Sequence, residues 1–145
     1  MIPSPDLQVL VVEDEAIVAL ELEYAVRDAG LSVAGVAGDL GEADAIASKE
    51  RIDIALVDMN LRDGFSGLKV ASMLSERGAS VVFLTANPDQ APADFPDALG
   101  VYPKPYDLDV VRGLLRFVAD RRLNGGHYPP PSRFRPSAWL QSASA

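Results

Sequence analysis

The chain has 145 residues, 48% of them apolar, no cysteine, and a formal net charge of −8. That length suits one domain with a single buried core; no apolar run approaches the ~20 residues of a membrane span, and the amino terminus lacks the basic region and apolar stretch of an export signal. The acidic balance, without a helix-turn-helix or a basic stripe, argues against direct nucleic-acid binding and suits cations or basic partner surfaces, while the lack of cysteine removes thiolate metal sites and fits the cytosol. Residues 1–6 read as a leader. Residues 7–12 predict a first strand that runs into Glu13-Asp14. Residues 15–29 show helical spacing, with Val18, Leu22, Ala25 and Ala29 on one face and Gly30 as the stop. A second strand follows over 32–37, then a helix over 41–50 that carries Ala43, Ile46 and Ala47 inward. Ile54-Ala55-Leu56-Val57 predicts a third strand ending at Asp58, with a loop over 59–67 and a helix over 68–77 that Gly78 stops.

Residues 79–84 predict the fourth strand, running into Thr85. Beyond it Pro88, Pro92 and Pro96 recur every fourth residue. Proline inside a helix costs about 3 kcal/mol, so the fourth helix is expected to be short or irregular. Residues 100–103 form a fifth strand leading to Lys104. Asp107 then caps a last helix, to about residue 123, with Val110, Val111, Leu114, Leu115 and Val118 as its apolar stripe.

Runs this short and this rich in Val, Ile and Leu read as strands buried on both faces of a parallel sheet. Their alternation with helices predicts an α/β fold, flavodoxin-like: five βα units making an open, parallel, five-stranded sheet in the order 2-1-3-4-5. The domain is expected over 7–123. Residues 124–145 open on Asn124-Gly125-Gly126, are rich in Pro and Ser, show neither period, and read as a tail. No signature of a DNA-binding or catalytic domain follows the last helix, so output is expected through protein contacts. Within the tail, Trp139-Leu140, downstream of Arg133-Phe134-Arg135, is a candidate docking peptide. His127, the single histidine, has no neighbour there to share a metal and is not assigned as a phosphodonor.

In a parallel sheet all carboxyl ends lie at one edge, where ligands bind. Glu13, Asp14, Asp58, Thr85 and Lys104 therefore converge. Each has a plain structural role to set against a chemical one. Glu13-Asp14 can cap the first helix, Asp58 can start an Asx turn, Lys104 can be a neutralising partner, and Thr85 is a common strand residue. Jointly those roles explain less. Strands one and three are neighbours in the expected order, so three carboxylates crowd one crevice, and they repel unless a cation sits among them. An oxygen-only donor set suits Mg2+, to which Asn60 can add its backbone carbonyl. Acids, metal, lysine and hydroxyl together compose a phosphoryl-transfer site.

Glu13-Asp14, Asp58, Thr85 and Lys104-Pro105, in that order and at those strand ends, resemble the receiver domain of two-component response regulators, over about residues 7–123. The resemblance implies that Asp58 accepts a phosphoryl group from the phosphohistidine of a sensor histidine kinase or a histidine phosphotransfer protein. It implies Mg2+ held by Asp14, Asp58 and the carbonyl of Asn60, with Glu13 touching the ion directly or through water. Lys104 would pair with the phosphoryl group, and Thr85 would bond to it and move. A cis Lys104–Pro105 bond is implied as well. So is hydrolytic decay tuned by Asn60 and Arg62, a downstream protein partner with a homodimer among the assemblies allowed, and no enzyme activity beyond the domain's own phosphorylation and dephosphorylation.

Two departures stand out, the first being the proline-spaced segment 88–96 in place of the regular fourth helix, part of the usual output face. The family usually places Tyr or Phe three residues before the lysine; here Val101 stands there, and Tyr102 points to the opposite face of the strand. The stretches Asp58-Met59-Asn60-Leu61, Phe83-Leu84-Thr85-Ala86 and Lys104-Pro105-Tyr106 resemble the atypical receiver subgroup nicknamed FAT GUY. That likeness implies output through ordering of the segment after Thr85 rather than through a swinging ring. Two rival functions use similar parts. A phosphatase of the haloacid dehalogenase type also forms an aspartyl phosphate, but it needs a second acid where Asn60 stands, and Asn60 cannot transfer that proton. A pseudo-receiver that binds protein without being phosphorylated is the stronger rival, because a fold does not determine a function.

Overall fold

Apolar runs without polar alternation must be buried on both faces, and they form the centre of the sheet. In the computed structural model, which describes residues 6–64, 66–90 and 95–143, β1 (Gln8–Val12), β3 (Ile54–Asp58) and β4 (Ser80–Thr85) are interior strands. β2 (Ser32–Ala37) and β5 (Gly100–Pro103) flank them. These five strands are parallel in the order β2-β1-β3-β4-β5, as the sequence predicts. Register carries the carboxyl ends to one edge: Val12 pairs with Val57, Asp58 with Leu84, and Thr85 with Pro103.

Successive strand residues point to opposite faces, and each face has its own core. On one, Val9, Val11, Ile54 and Leu56 pack with Leu22 and Val26 of α1 (Ala16–Asp28) and with Leu114, Leu115 and Val118 of α4 (Leu108–Asn124). On the other, Leu10, Val12, Ala55, Val57 and Phe83 pack with Ala43 of α2 (Leu40–Ala47) and with Val70, Ala71 and Leu74 of α3 (Gly67–Glu76). The buried face of α1 is turned slightly from the expected one: Ala19 and Val26 lie deeper than Val18 and Ala29. Its opposite side leaves Ile17, Leu20 and Tyr24 largely exposed. Asp107 caps α4 by accepting the Val110 N–H at 2.9 Å, and Gly125, at φ 85°, ends that helix in the left-handed region. Among the described residues no helix is long and apolar enough to cross a membrane.

Between β4 and β5 the described chain holds only a single 3-10 turn, Pro88–Gln90, in line with the expected loss of a regular helix. Pro92 lies outside the described residues, as do positions 1–5 of the expected leader and the last two positions of the expected tail. Phe95 returns to the sheet with its ring edge-on to Phe83 at 5.1 Å.

The carboxyl-terminal segment differs from expectation. It forms β6 (Arg135–Pro136), antiparallel to β5, and α5 (Ala138–Ala143). Phe134 and Leu140 are buried in the same core as α1 and α4. The reason is tertiary: a two-residue strand has no period to read, and its order comes from contacts with residues far away in the chain.

An acidic crevice at the carboxyl edge of the sheet

Glu13 follows the last residue of β1, Asp58 ends β3, and Lys104 follows β5. Because β1 and β3 are neighbours, Glu13, Asp14 and Asp58 each offer a carboxylate oxygen within 4.8 Å of the others'. Lys104 reaches in from the far side. Its Nζ donates to Asp58 Oδ2 at 3.0 Å and to Glu13 Oε1 at 3.2 Å. The Glu13 side chain is 1% exposed, Asp58 9% and Lys104 23%, while Asp14 is open to solvent.

The structural roles weighed for these residues are partly filled, without displacing the chemistry. α1 has Glu15 as its N-cap and makes no side-chain cap bond. Glu13 Oε2 instead accepts the Glu15 N–H at 3.1 Å. Asp58 Oδ1 accepts the Asn60 N–H at 3.0 Å, which is an Asx turn. One oxygen of Asp58 therefore faces its own turn and the other faces Lys104. α3 is pressed close behind this turn. The Gly67 N–H donates to Met59 O at 3.2 Å, and a Cβ at position 67 would lie 2.5 Å from the Asp58 carbonyl oxygen.

Burial pushes the Glu13 carboxyl up to about 7, against the lowering pull of the Glu15 N–H, with the charge on Asp58 adding to the rise. Desolvation pulls Lys104 down, but the hydrogen bonds and charges of Asp58 and Glu13 outweigh it and hold the ammonium well above the usual lysine range. One lysine therefore does not neutralise the crevice. An oxygen-only, under-neutralised donor set of this kind fits a hard dication such as Mg2+.

Glu13, Asp14, Asp58 and Lys104 are thus brought together, and Asn60 touches Asp58 through its amide. Thr85 is fully buried at the end of β4, where its hydroxyl accepts the Asn87 N–H at 3.0 Å. Its carbonyl accepts the Lys104 N–H at 2.8 Å. The Lys104–Pro105 peptide is cis, as expected. Val101 and Tyr102 fall into opposite cores, Tyr102 on the α1 and α4 side, so Tyr102 does not take the place of an aromatic at 101. Arg62 is exposed, with Nη2 paired to Glu42 at 2.8 Å.

One residue beside the crevice enters the sequence reading only as part of the Lys104-Pro105-Tyr106 stretch, with no role of its own. The Tyr106 hydroxyl is buried with no hydrogen-bond partner among the described residues, and burial pushes it up to about 12. Its signal in the sequence is only a tyrosine directly after Lys104-Pro105.

With this geometry in hand, comparison with known proteins is specific. Residues 9–112 match the family model for the response regulator receiver domain. The phyllosphere-induced regulator PhyR of Methylorubrum extorquens is 40% identical over 85 residues, covering 57% of this chain and 32% of that protein. The solution structure of the Erythrobacter litoralis PhyR receiver domain superposes with a TM-score of 0.69 at 27% identity, covering 87% of this chain and 96% of that one. The crystal structure of the anti-anti-sigma factor PhyR from Bartonella quintana gives a TM-score of 0.70 at 26% identity, over 83% of this chain and 50% of that one. The chain spans about a third of the length of the curated relatives it matches. By the match of its sheet, its crevice and most of its length, the chain belongs to the response regulator receiver domain family.

Proposed function

We propose that the chain is a phosphorylation-dependent signalling receiver, in which Asp58 takes a phosphoryl group from the phosphohistidine of a histidine kinase or phosphotransfer protein and the change is passed to a protein partner. The observation that carries this is the shared ammonium: Lys104 holds one oxygen of Asp58 at 3.0 Å while serving Glu13 as well.

In the proposed step an Asp58 carboxylate oxygen attacks phosphorus. The P–O bond forms as the P–N bond of the donor breaks, and the bonding pair leaves on the imidazole nitrogen. Lys104, already bonded to Asp58, carries positive charge to where phosphoryl oxygens would gather. The Thr85 hydroxyl, an acceptor for Asn87 in this structure, would turn to donate its hydrogen to a phosphoryl oxygen. Asp14, Asp58, the Asn60 carbonyl and Glu13 would hold Mg2+, which when bound screens carboxylate from phosphoryl oxygens. Water would later hydrolyse the acyl phosphate, and the exposed residues Asn60 and Arg62 would tune that decay.

The exposed stripe Ile17, Leu20 and Tyr24 supports protein docking beside the crevice, since α1 starts directly after Glu13-Asp14. A protein partner downstream is further supported by the description of one relative as an anti-anti-sigma factor. The test is intact mass after incubation with Mg2+ and acetyl phosphate. The expected outcome is one added phosphoryl group in the parent and none in Asp58→Asn. A parent that gains nothing, with candidate kinases also supplied, would transfer the reading to a binding module without phosphorylation.

A further inference from the structure

The segment 131–143 is tied at many points to the stretch between Thr85 and Lys104. Arg135 pairs with Val101 and Pro136 with Gly100 in antiparallel register. Ser137 donates from its amide to Leu99 O at 2.9 Å and from its hydroxyl to Ala98 O at 2.6 Å. Trp139 Nε1 donates to Ala98 O at 2.8 Å and Phe95 O at 3.2 Å. Arg135 pairs with Asp89, in the turn just after β4, at 3.2 Å. Arg133 lies 6.0 Å over the Tyr102 ring.

The edge of β5 is shaped to receive this segment. A Cβ on Gly100 would come within 2.3 Å of Arg135 O and 2.6 Å of the Phe134 ring, so only the missing side chain allows β6 to approach. Phe134 and Leu140 are buried there, and Phe134 packs on Phe117 at 5.2 Å. The hold is nevertheless short. The ladder has two residue pairs, Pro136 brings no N–H to it, and the Arg135–Asp89 pair lies at the surface.

The stretch that bears these contacts begins at Thr85. Its hydroxyl is the acceptor for Asn87, at the base of the turn that carries Asp89, and its carbonyl is the acceptor for Lys104. A Thr85 hydroxyl that rotates toward a phosphoryl group on Asp58 withdraws the acceptor from Asn87 and frees that turn to shift. Asp89 then moves relative to Arg135, and the ion pair between them is weakened.

We propose that residues 131–143 are a strap that seats on the outer edge of β5 in the unphosphorylated protein and loosens when Asp58 is phosphorylated. The proposal rests on the reading of Asp58 as the phosphoacceptor. It makes the segment an internal ligand of the very stretch that answers to Thr85, so its attachment reports the state of the crevice.

Trp139 is the single tryptophan of the chain, which gives a direct readout. The full chain is titrated with beryllium fluoride and Mg2+, an acyl-phosphate mimic, while Trp139 emission and acrylamide quenching are followed; phosphoryl uptake from acetyl phosphate is measured in parallel by intact mass. The expected result is a red shift with stronger quenching, absent in Asp58→Asn. By reciprocity of coupled equilibria, Arg135→Ala, which weakens the strap at an exposed ion pair, tightens beryllium fluoride binding by about twofold to fivefold. Phosphoryl uptake with unchanged or blue-shifted emission overturns the strap and leaves the phosphoacceptor standing. Absence of uptake overturns both.

Discussion

β3 is bracketed by two buried aspartates, and they live in opposite circumstances. At its amino end Asp53, 6% exposed, accepts the Gln8 N–H at 2.8 Å and meets two guanidiniums, Arg51 at 3.1 Å and Arg122 at 3.5 Å. Arg122 also reaches Gly78 O and Ser80 Oγ, so this carboxylate ties β1, β3, β4 and α4 together. At the carboxyl end Asp58 also accepts a backbone N–H, but it shares one ammonium with Glu13 while Asp14 stands nearby. A buried carboxylate whose cations are claimed by no second carboxylate fastens the fold. One that must share its cation keeps an appetite for another, and that is what a phosphoryl and metal site needs.

The contrast can be broken experimentally, starting from its reactive end. Lys104→Ala removes the shared ammonium and is expected to slow phosphoryl uptake by about 10²-fold, the usual scale for one lost electrostatic contact in a transition state; timed intact-mass measurements decide it. Asp53→Ala should behave the other way round. It leaves Arg122 and the Gln8 N–H without their acceptor and is expected to lower stability by about 2 kcal/mol, seen as a lower urea midpoint, with phosphoryl uptake unchanged.

Acidity sharpens the comparison further. The Glu13 carboxyl, at about 7 in the folded chain against an ordinary 4.5, keeps its proton longer when folded than when unfolded. Its contribution therefore favours the fold at low pH and declines as pH rises from 4.5 toward 7. Mg2+ must displace that proton, so its affinity is expected to be about tenfold weaker at pH 6 than at pH 8, with protons released on binding; calorimetry in buffers of different ionisation enthalpy measures both. The smallest effect expected is a gain. Without Mg2+, Asp58→Asn relieves the crowding around Glu13 and should raise stability by about 1 kcal/mol, the scale seen when strained functional sites are relaxed; thermal melts with and without Mg2+ would show the gain shrinking as the metal stabilises the parent alone.

Much of this was legible in the sequence, for a physical reason. Val9, Leu10, Val11 and Val12 are wholly buried because a central parallel strand offers no solvent face, and such runs read directly. The residues of the crevice are legible because they stand where each run stops. Asp53 was not, since its partners come from Arg51 beside it and Arg122 far along the chain, and no local pattern links them. The strap escaped for the same reason. Trp139 finds its acceptors at Phe95 and Ala98, positions 44 and 41 residues away, and nothing in the period of 131–143 announces them. The inward turn of Ala19 and Val26 is not legible because alanine and valine at those positions fit either face of α1 until α4 is in place.

The seating of β6 gives the sheet a beginning and an end. Among the described residues β2 has no strand on its outer side, whereas on the opposite side two residues, one of them a proline, close the row. A margin reduced to two residues, one without an N–H, offers little for another copy to pair with, so edge-to-edge joining is directed to the β2 side, where two copies can meet as a symmetric pair. Edge-to-edge growth into a filament would require the strap to leave first.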